Sequence, residues 1–151
     1  MTLNGGKMSG ATKIITINTS LEKFYAVICD IEKYPEFIPE MEKVKILSMD
    51  DKKAEINYEI KLMGMKMNYT LKHNFIKPTE MNWSFVKASK FIKNNEGSWK
   101  LKAIDDNTVE AEYHVELKLG RLVPKKVENT LAAASLPTLM KQFKERAESL
   151  N

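Results

Sequence analysis

The sequence predicts an α+β domain in which a curved antiparallel sheet of about seven strands wraps round a long C-terminal helix. Two observations predict this class. Apolar and polar residues alternate with period two from Met41 to Leu119, and apolar residues recur at helical spacing over 125–150. A sheet with one apolar face needs a cover, and the C-terminal segment can provide it.

The segment before the meander predicts one strand and two short helices. Residues 12–18 alternate and are rich in β-branched side chains, which indicates the first strand. Thr19 and Glu22 have the spacing of a capping box, so we expect a helix with Thr19 as its N-cap. Residues 34–39 contain two prolines and predict a short helical turn. The apolar face of the first helix is formed by residues at i, i+3, i+4 and i+7: Phe24, Val27, Ile28 and Ile31.

Turn signals divide the meander into its strands, and the alternation assigns each side chain to a face. The turn signals lie at 50–51, 63–65, 77–79, 87–89 and 105–107. In the C-terminal helix, Pro137 lacks the amide proton that the helix interior needs, which predicts a kink. The inward face of the sheet is predicted to carry Ala54, Ile56, Tyr58, Ile60, Leu62, Met67, Tyr69, Leu71, His73, Phe75, Met81, Trp83, Phe85, Gly97, Trp99, Leu101, Ala103, Val109, Ala111, Tyr113, Val115 and Leu117.

Length and composition indicate one soluble domain. A chain of 151 residues fits a single core. Residues 1–10 are polar and glycine-rich and predict a disordered tail, so the domain is expected to span 11–151. The start of the chain has no apolar segment of the signal-peptide type, and Cys29 has no second cysteine to pair with. We therefore expect a cytoplasmic protein.

The charge is mildly basic, with a formal net charge of +4 and a pI near 9.0. Arg121 and Arg146 are its two arginines, so the bidentate phosphate contacts that arginine makes are scarce. We expect no specific DNA binding. Lysines on the outward face could still contact a ribosome or an anionic membrane, although glutamates alternate with them. These lysines are Lys61, Lys66, Lys72, Lys100, Lys102 and Lys118.

The residue types that carry most chemistry are sparse. His73 is predicted to face inward and His114 outward, and neither has the spacing of a zinc site, so no metal and no cofactor are expected. The sequence has no glycine-rich phosphate loop and no G-x-S-x-G elbow. The inward strand positions include no Asp or Glu, which favours a protein without catalytic activity, and we assign no catalytic residue.

The space between sheet and helix is the predicted binding site. His73 is either a core histidine bonded to a tyrosine or a backbone carbonyl, or a polar anchor that donates to a ligand carbonyl. The aromatic candidates are either ordinary core residues or ligand contacts. The full set of cavity candidates is Tyr58, Met67, Tyr69, His73, Trp83, Trp99, Tyr113, Leu131 and Met140.

The segment Asp30-Ile31-Glu32-Lys33-Tyr34-Pro35-Glu36-Phe37-Ile38-Pro39 carries a family resemblance. It resembles the D-I-E-x-Y-P-x-F-[LI]-P signature of the coenzyme Q-binding and polyketide cyclase/dehydrase-like proteins, within the START/Bet v 1-like superfamily. Gly97-Ser98-Trp99 is similar to the later G-x-W strand of that family. The resemblance covers residues 11–149 and implies a helix-grip fold with a cavity for an apolar ligand. Relatives include quinone-binding chaperones, aromatic polyketide cyclases and a ribosome-association toxin.

Three functional hypotheses follow. The first is the binding or carriage of a small hydrophobic molecule, lipid-like or quinone-like, between the sheet and the C-terminal helix. The second is an enzyme of the polyketide cyclase/dehydratase type, in which His73 works with Tyr69 or Tyr113. The third is an interaction protein that binds the ribosome through its lysines.

Overall fold

A computed structural model describes residues 8–131 and 136–151. After strand β1 come helix α1, a 3-10 helix, six further strands, and helices α2 and α3. The strands are β1 Met8–Ile17, β2 Met41–Met49, β3 Lys53–Leu62, β4 Met65–Ile76, β5 Glu80–Ala88, β6 Ile92–Asp105 and β7 Thr108–Leu119. The helices are α1 Leu21–Cys29, the 3-10 helix Ile31–Glu36, α2 Lys125–Thr130 and α3 Leu136–Ser149.

The seven strands form one antiparallel sheet in the order β1-β7-β6-β5-β4-β3-β2. Strands β2 to β7 follow one another as hairpins, and β1 pairs with β7, which confirms the predicted fold class. The β3–β4 hairpin turns through Met63 at φ 50° and Gly64 at φ 82°. The left-handed region costs glycine no steric penalty, which explains the glycine at this tip.

The ladder between β5 and β6 is short. Among the described residues, these strands pair from Glu80 with Lys100 to Trp83 with Gly97. Beyond that point β5 continues to Ala88 along β4, while β6 continues along β7. The sheet therefore opens between the two strands from Trp83 onward.

The core lies between the inward face of the sheet and helices α1 and α3. Trp99 is 1% exposed and stands at its centre. Its ring lies 5.4 Å from that of Phe24, 4.9 Å from that of Tyr113 and 5.1 Å from that of Phe143, each in an edge-on arrangement. Edge-on packing of this kind adds about 0.5–1.5 kcal/mol per pair beyond the area buried. The core thus joins α1, β6, β7 and α3.

The start of α1 differs from the prediction. Ser20, and not Thr19, is the N-cap, because the Ser20 hydroxyl accepts from the backbone N–H of Lys23 at 3.2 Å. The Thr19 hydroxyl instead donates to Asn151 Oδ1 at 2.8 Å. The Asn151 amide donates in turn to the backbone carbonyl of Asn18 at 2.6 Å. The Thr19 hydroxyl, which the local pattern assigns to the N-cap, is therefore bonded to the C-terminal residue Asn151 instead.

The structure also differs from the predictions at the start of the first strand and in the C-terminal helical segment. Strand β1 begins at Met8, so residues 8–10 of the expected tail pair with β7, while residues 1–7 lie outside the description. The C-terminal helical segment is seen as α2 and α3. Residues 132–135 between them, and with them the predicted kink ahead of Pro137, lie outside the described residues. No helix in the described ranges is both long and apolar enough to cross a membrane.

Candidate functional site

Two adjoining cavities lie between the inward face of the sheet and α3. The first, here called the aromatic cavity, has a volume of about 130 Å³, and the second, the aliphatic cavity, about 170 Å³. The aromatic cavity is lined by Tyr34, Ile38, Met41, Tyr58, Tyr69, Leu71, His73, Met81, Trp83, Asn95, Trp99, Tyr113, Leu139 and Phe143. The aliphatic cavity is lined by Ile60, Met67, Tyr69, Ile92, Asn95, Tyr113, Val115, Leu117, Leu119, Leu131, Leu136 and Leu139.

Four residues line both cavities: Tyr69, Asn95, Tyr113 and Leu139. We call this group the junction. Small-molecule sites usually have about 300–1,000 Å³, and the two volumes together reach the lower end of that range. A ligand that spans the junction would therefore use both spaces.

The structure places eight of the nine predicted cavity candidates along these walls. Tyr58, Tyr69, His73, Trp83, Trp99 and Tyr113 line the aromatic cavity, and Met67 and Leu131 join two of them in the aliphatic one. Met140 is corrected: it lines neither cavity and is 2% exposed in the core. The phase of α3 explains this, because Leu136 and Leu139 point to the cavities and Met140 is turned away from them.

Of the described residues that line the two cavities, fourteen were not among the candidates, and Asn95, Met81 and Leu139 are three of them. Met81 is two residues before the inward Trp83 on β5, and Asn95 is two residues before the inward Gly97 on β6. Continuing the alternation of β6 back from Gly97 would have found Asn95. Leu139 was missed because helical spacing alone does not tell which of two adjacent apolar positions faces a gap.

His73 is buried, as predicted, and bonded on both ring nitrogens. Its Nε2 lies 2.6 Å from the Tyr58 hydroxyl and its Nδ1 lies 3.1 Å from the Met81 sulfur. Burial lowers the pKa of His73 from 6.5 to about 4, because the imidazolium loses its hydration there. The ring is therefore neutral at pH 7. By contrast His114 lies on the outer face, as expected, where its Nδ1 is 2.7 Å from the Thr12 hydroxyl.

The cavity tyrosines are neutral hydrogen-bonding groups. Burial raises the pKa of Tyr58, Tyr69 and Tyr113 well above the usual value. The Tyr58 hydroxyl is paired with His73, but the hydroxyls of Tyr69 and Tyr113 have no hydrogen-bond partner among the described residues. These two side chains are only 8% and 9% exposed. No fully buried side-chain nitrogen or oxygen among the described residues lacks a partner, so these two hydroxyls are open to the cavity and can bond a guest there.

Trp83 and Asn95 join the two strands where the backbone ladder has ended. The indole N–H of Trp83 donates to Asn95 Oδ1 at 3.0 Å. Gly97 makes room for this indole, since a Cβ on Gly97 would lie 2.6 Å from Trp83 Cζ2 and closer still to the carbonyl oxygen of His114. The glycine is therefore required by close approach of a ring on one side and of backbone on the other.

Gly97→Ala is accordingly expected to lower the free energy of unfolding by about 1–3 kcal/mol, the usual cost of overpacking. Urea unfolding followed by circular dichroism measures it. Gly10→Ala is the matched control, because a Cβ there would meet its nearest atom at an ordinary 3.5 Å. Equal stability of the two variants would show that β6 and β7 can separate without cost.

The outer face carries the six lysines considered above, and the register places a glutamate opposite three of them. Lys72 lies opposite Glu55, Lys100 opposite Glu112 and Lys102 opposite Glu110. Lys61 and Lys66 oppose each other. Cross-strand pairs of opposite charge balance part of this surface, and contact with a ribosome or an anionic membrane gains no support from it.

Within the described ranges, no three His, Cys, Asp or Glu side chains come together as a metal site would require. Among the residues that the structure describes, none that lines either cavity is a carboxylate. What the walls offer instead is aromatic and aliphatic surface with a few neutral donors and acceptors, which suits an uncharged organic molecule.

The sequence was compared with protein families and curated proteins. Residues 17–144 match the model of a family described as polyketide cyclase / dehydrase and lipid transport. A search of curated proteins finds no significant match.

Solved structures share the fold at low sequence identity. The Zhui aromatase/cyclase from Streptomyces sp. R1128 is 15% identical with a TM-score of 0.81, over 94% of each chain. A START superfamily protein from Mycobacterium smegmatis is 16% identical with a TM-score of 0.81, over 94% of this chain and 99% of that one. A STAR-related lipid transfer protein from Xanthomonas axonopodis is 13% identical with a TM-score of 0.76, over 92% of this chain and 85% of that one. These likenesses confirm the predicted helix-grip fold, and the family match over residues 17–144 confirms the resemblance to the polyketide cyclase/dehydrase-like proteins.

Proposed function

Since the chain belongs to the polyketide cyclase / dehydrase and lipid transport family, we propose that it binds one small, mostly apolar molecule across the two cavities beneath α3. The single observation that supports this most is the junction. Two of its members, Tyr69 and Tyr113, have hydroxyls that open to the cavities and that the described residues do not bond. A ligand oxygen or hydroxyl would satisfy them.

The shapes of the walls suggest the shape of the guest. The described lining of the aromatic cavity includes four tyrosines, two tryptophans, one phenylalanine and His73. The rings of Tyr58 and Tyr69 are 5.2 Å apart and nearly parallel. Such walls suit a flat ring. The aliphatic cavity, with its leucines and Met67, suits an alkyl chain, and methionine adapts to varied shapes. A lipid or quinone with a ring at one end and a chain at the other fits this description.

Native mass spectrometry of the protein purified from its own host tests the proposal. We expect a stoichiometric adduct that organic extraction removes and that rebinds on addition. Failure to find an adduct, together with no binding to a panel of quinones, aromatic polyketides and lipids, would contradict the proposal.

Leu139→Trp is expected to weaken binding of any such ligand by about ten-fold or more, because the larger side chain occupies the junction that a ligand must cross. Displacement of an apolar fluorescent probe measures the change. Leu150→Trp is the control, since Leu150 lies just beyond α3 and is 58% exposed. Equal affinity of both variants would place the ligand elsewhere.

A cyclase-type reaction is the second candidate. The 2.6 Å contact between the Tyr58 hydroxyl and His73 Nε2 favours it, since such a pair can move a proton. The absence of a carboxylate from the described cavity walls leaves His73 without an acidic partner to orient it. Turnover of an aromatic polyketide precursor that His73→Ala abolishes would support this candidate, and full turnover by that variant would remove it.

A further inference from the structure

Tyr58, His73 and Met81 form a chain of hydrogen bonds across three neighbouring strands. Tyr58 lies on β3, His73 on β4 and Met81 on β5. All three side chains are at most 3% exposed, and all three line the aromatic cavity. Water therefore does not compete for these contacts, and each must be satisfied by its protein partner.

The sulfur of Met81 fixes the direction of the chain. A thioether has no hydrogen to give, so the contact between His73 Nδ1 and the Met81 sulfur is a hydrogen bond only when Nδ1 carries the proton. A neutral imidazole has one N–H, so His73 Nε2 then carries no hydrogen and offers a lone pair that accepts a hydrogen bond. The 2.6 Å contact there requires the Tyr58 hydroxyl to donate to His73. The low pKa of His73 is consistent with a ring that carries a single proton.

This direction leaves the Tyr58 oxygen as an acceptor. Its one proton is committed to His73, and a phenol oxygen keeps lone pairs that can accept. We propose that Tyr58, held by His73 and Met81, makes this end of the aromatic cavity an acceptor that selects ligands with a hydroxyl over those with an ether or carbonyl oxygen. The inference rests on the proposed function and reverses the donor role considered for His73 from the sequence.

The junction has the opposite character. Asn95 Oδ1 already accepts from the Trp83 indole, so its amide N–H groups are the part of the side chain left to donate. The hydroxyls of Tyr69 and Tyr113 can donate as well. A preferred guest therefore carries a hydroxyl on the ring that enters the aromatic cavity and an acceptor oxygen near the start of its chain.

Two arms test the inference. In the ligand-free protein, ¹⁵N NMR of the histidine ring nitrogens reports which one carries the proton. We expect the Nδ1–H form for His73, and a rise of the Nε2–H form in Met81→Leu, where the sulfur acceptor is lost and the volume is kept. Met140→Leu is the control, because Met140 is equally buried and lines neither cavity.

The second arm compares 1-naphthol with 1-methoxynaphthalene, in which a methyl group replaces the hydroxyl hydrogen. Tyr58→Phe controls for the added methyl group, because it removes the acceptor and leaves both probes unchanged. We expect the wild type to prefer the naphthol by about ten-fold, the effect of one satisfied buried hydrogen bond, and Tyr58→Phe to bind both within about three-fold. An Nε2–H tautomer in the wild type, or equal affinity for the two probes, would overturn the inference. If neither probe nor any larger panel member binds, the proposed function fails and the ligand preference with it, whereas the NMR arm still decides the direction of the chain.

Discussion

Trp99→Ala is expected to lower the free energy of unfolding by about 3–5 kcal/mol, the usual cost of removing a buried tryptophan. Trp99 is 1% exposed and packs edge-on against Phe24, Tyr113 and Phe143, so its loss leaves a space that four elements would have to close together. Equilibrium urea unfolding measures the change. The wall of the aromatic cavity would also be lost, so probe affinity is expected to fall in the same variant.

Trp99→Phe separates the two effects, because it keeps a ring in edge-on contact and removes less volume. We expect this variant to lose clearly less stability than the alanine variant. A loss below about 1 kcal/mol for Trp99→Ala would contradict the central position given to this residue, since a core site that collapses so readily is not tightly packed.

Stability is expected to fall as the pH drops below 6.5, because His73 must enter the folded core without a charge. Its pKa is about 4 in the folded protein and about 6.5 when unfolded, so the unfolded chain binds the proton more readily. The contribution is fully present above pH 6.5 and is lost as the pH falls through 4. The loss amounts to about 2 kcal/mol at pH 5 and about 3 kcal/mol at pH 4.

Urea unfolding at pH 7.5, 6, 5 and 4 measures how the free energy of unfolding changes with pH. The wild type is compared with His73→Gln, whose side chain does not titrate in this range. His114→Gln is the matched control, because His114 lies on the outer face with 37% of its side chain exposed. We expect the free energy of unfolding to depend less on pH in His73→Gln, and to depend on pH in His114→Gln as it does in the wild type. An unchanged slope in that variant would mean that other groups, and not His73, set the acid sensitivity.

The strands and their faces could be predicted because alternation is a local property that burial enforces along each strand. Tyr58, Tyr69, His73, Trp83 and Tyr113 were all placed inward from their parity, and all are buried. The same parity gave most of the cavity wall, since a residue that faces the core also faces any gap within it.

Other features depend on partners far away in the sequence. Thr70 was placed outward by parity, yet it is 1% exposed, because the Asn57 amide on the next strand covers it and donates to its hydroxyl at 3.0 Å. The N-cap moved to Ser20 because Asn151, at the other end of the chain, bonds Thr19. Neither partner can be read from neighbouring residues.

A binding space between the sheet and the C-terminal helix was predicted, but its size and its walls on the helix side lay beyond sequence reasoning for a related reason. Whether Leu139 or Met140 faces a gap is decided by the rotation of α3, and the size of the gap is decided by how closely α3 approaches the sheet. Composition specifies neither. The direction of the Tyr58–His73–Met81 chain likewise required the sulfur to be located, since Met81 was recognised from its parity only as an apolar inward residue.

Because the β5–β6 ladder ends early, the second half of β5 has an unpaired edge although β5 lies in the middle of the sheet. Past Trp83, the side of β5 that faces β6 has no ladder partner there, and an unpaired strand edge is a template for pairing with another chain. Ser84, Val86 and Lys87 are exposed along this stretch. A charged lysine on such an edge opposes the addition of a foreign strand, so Lys87 protects the protein from edge-to-edge aggregation where the sheet opens between β5 and β6.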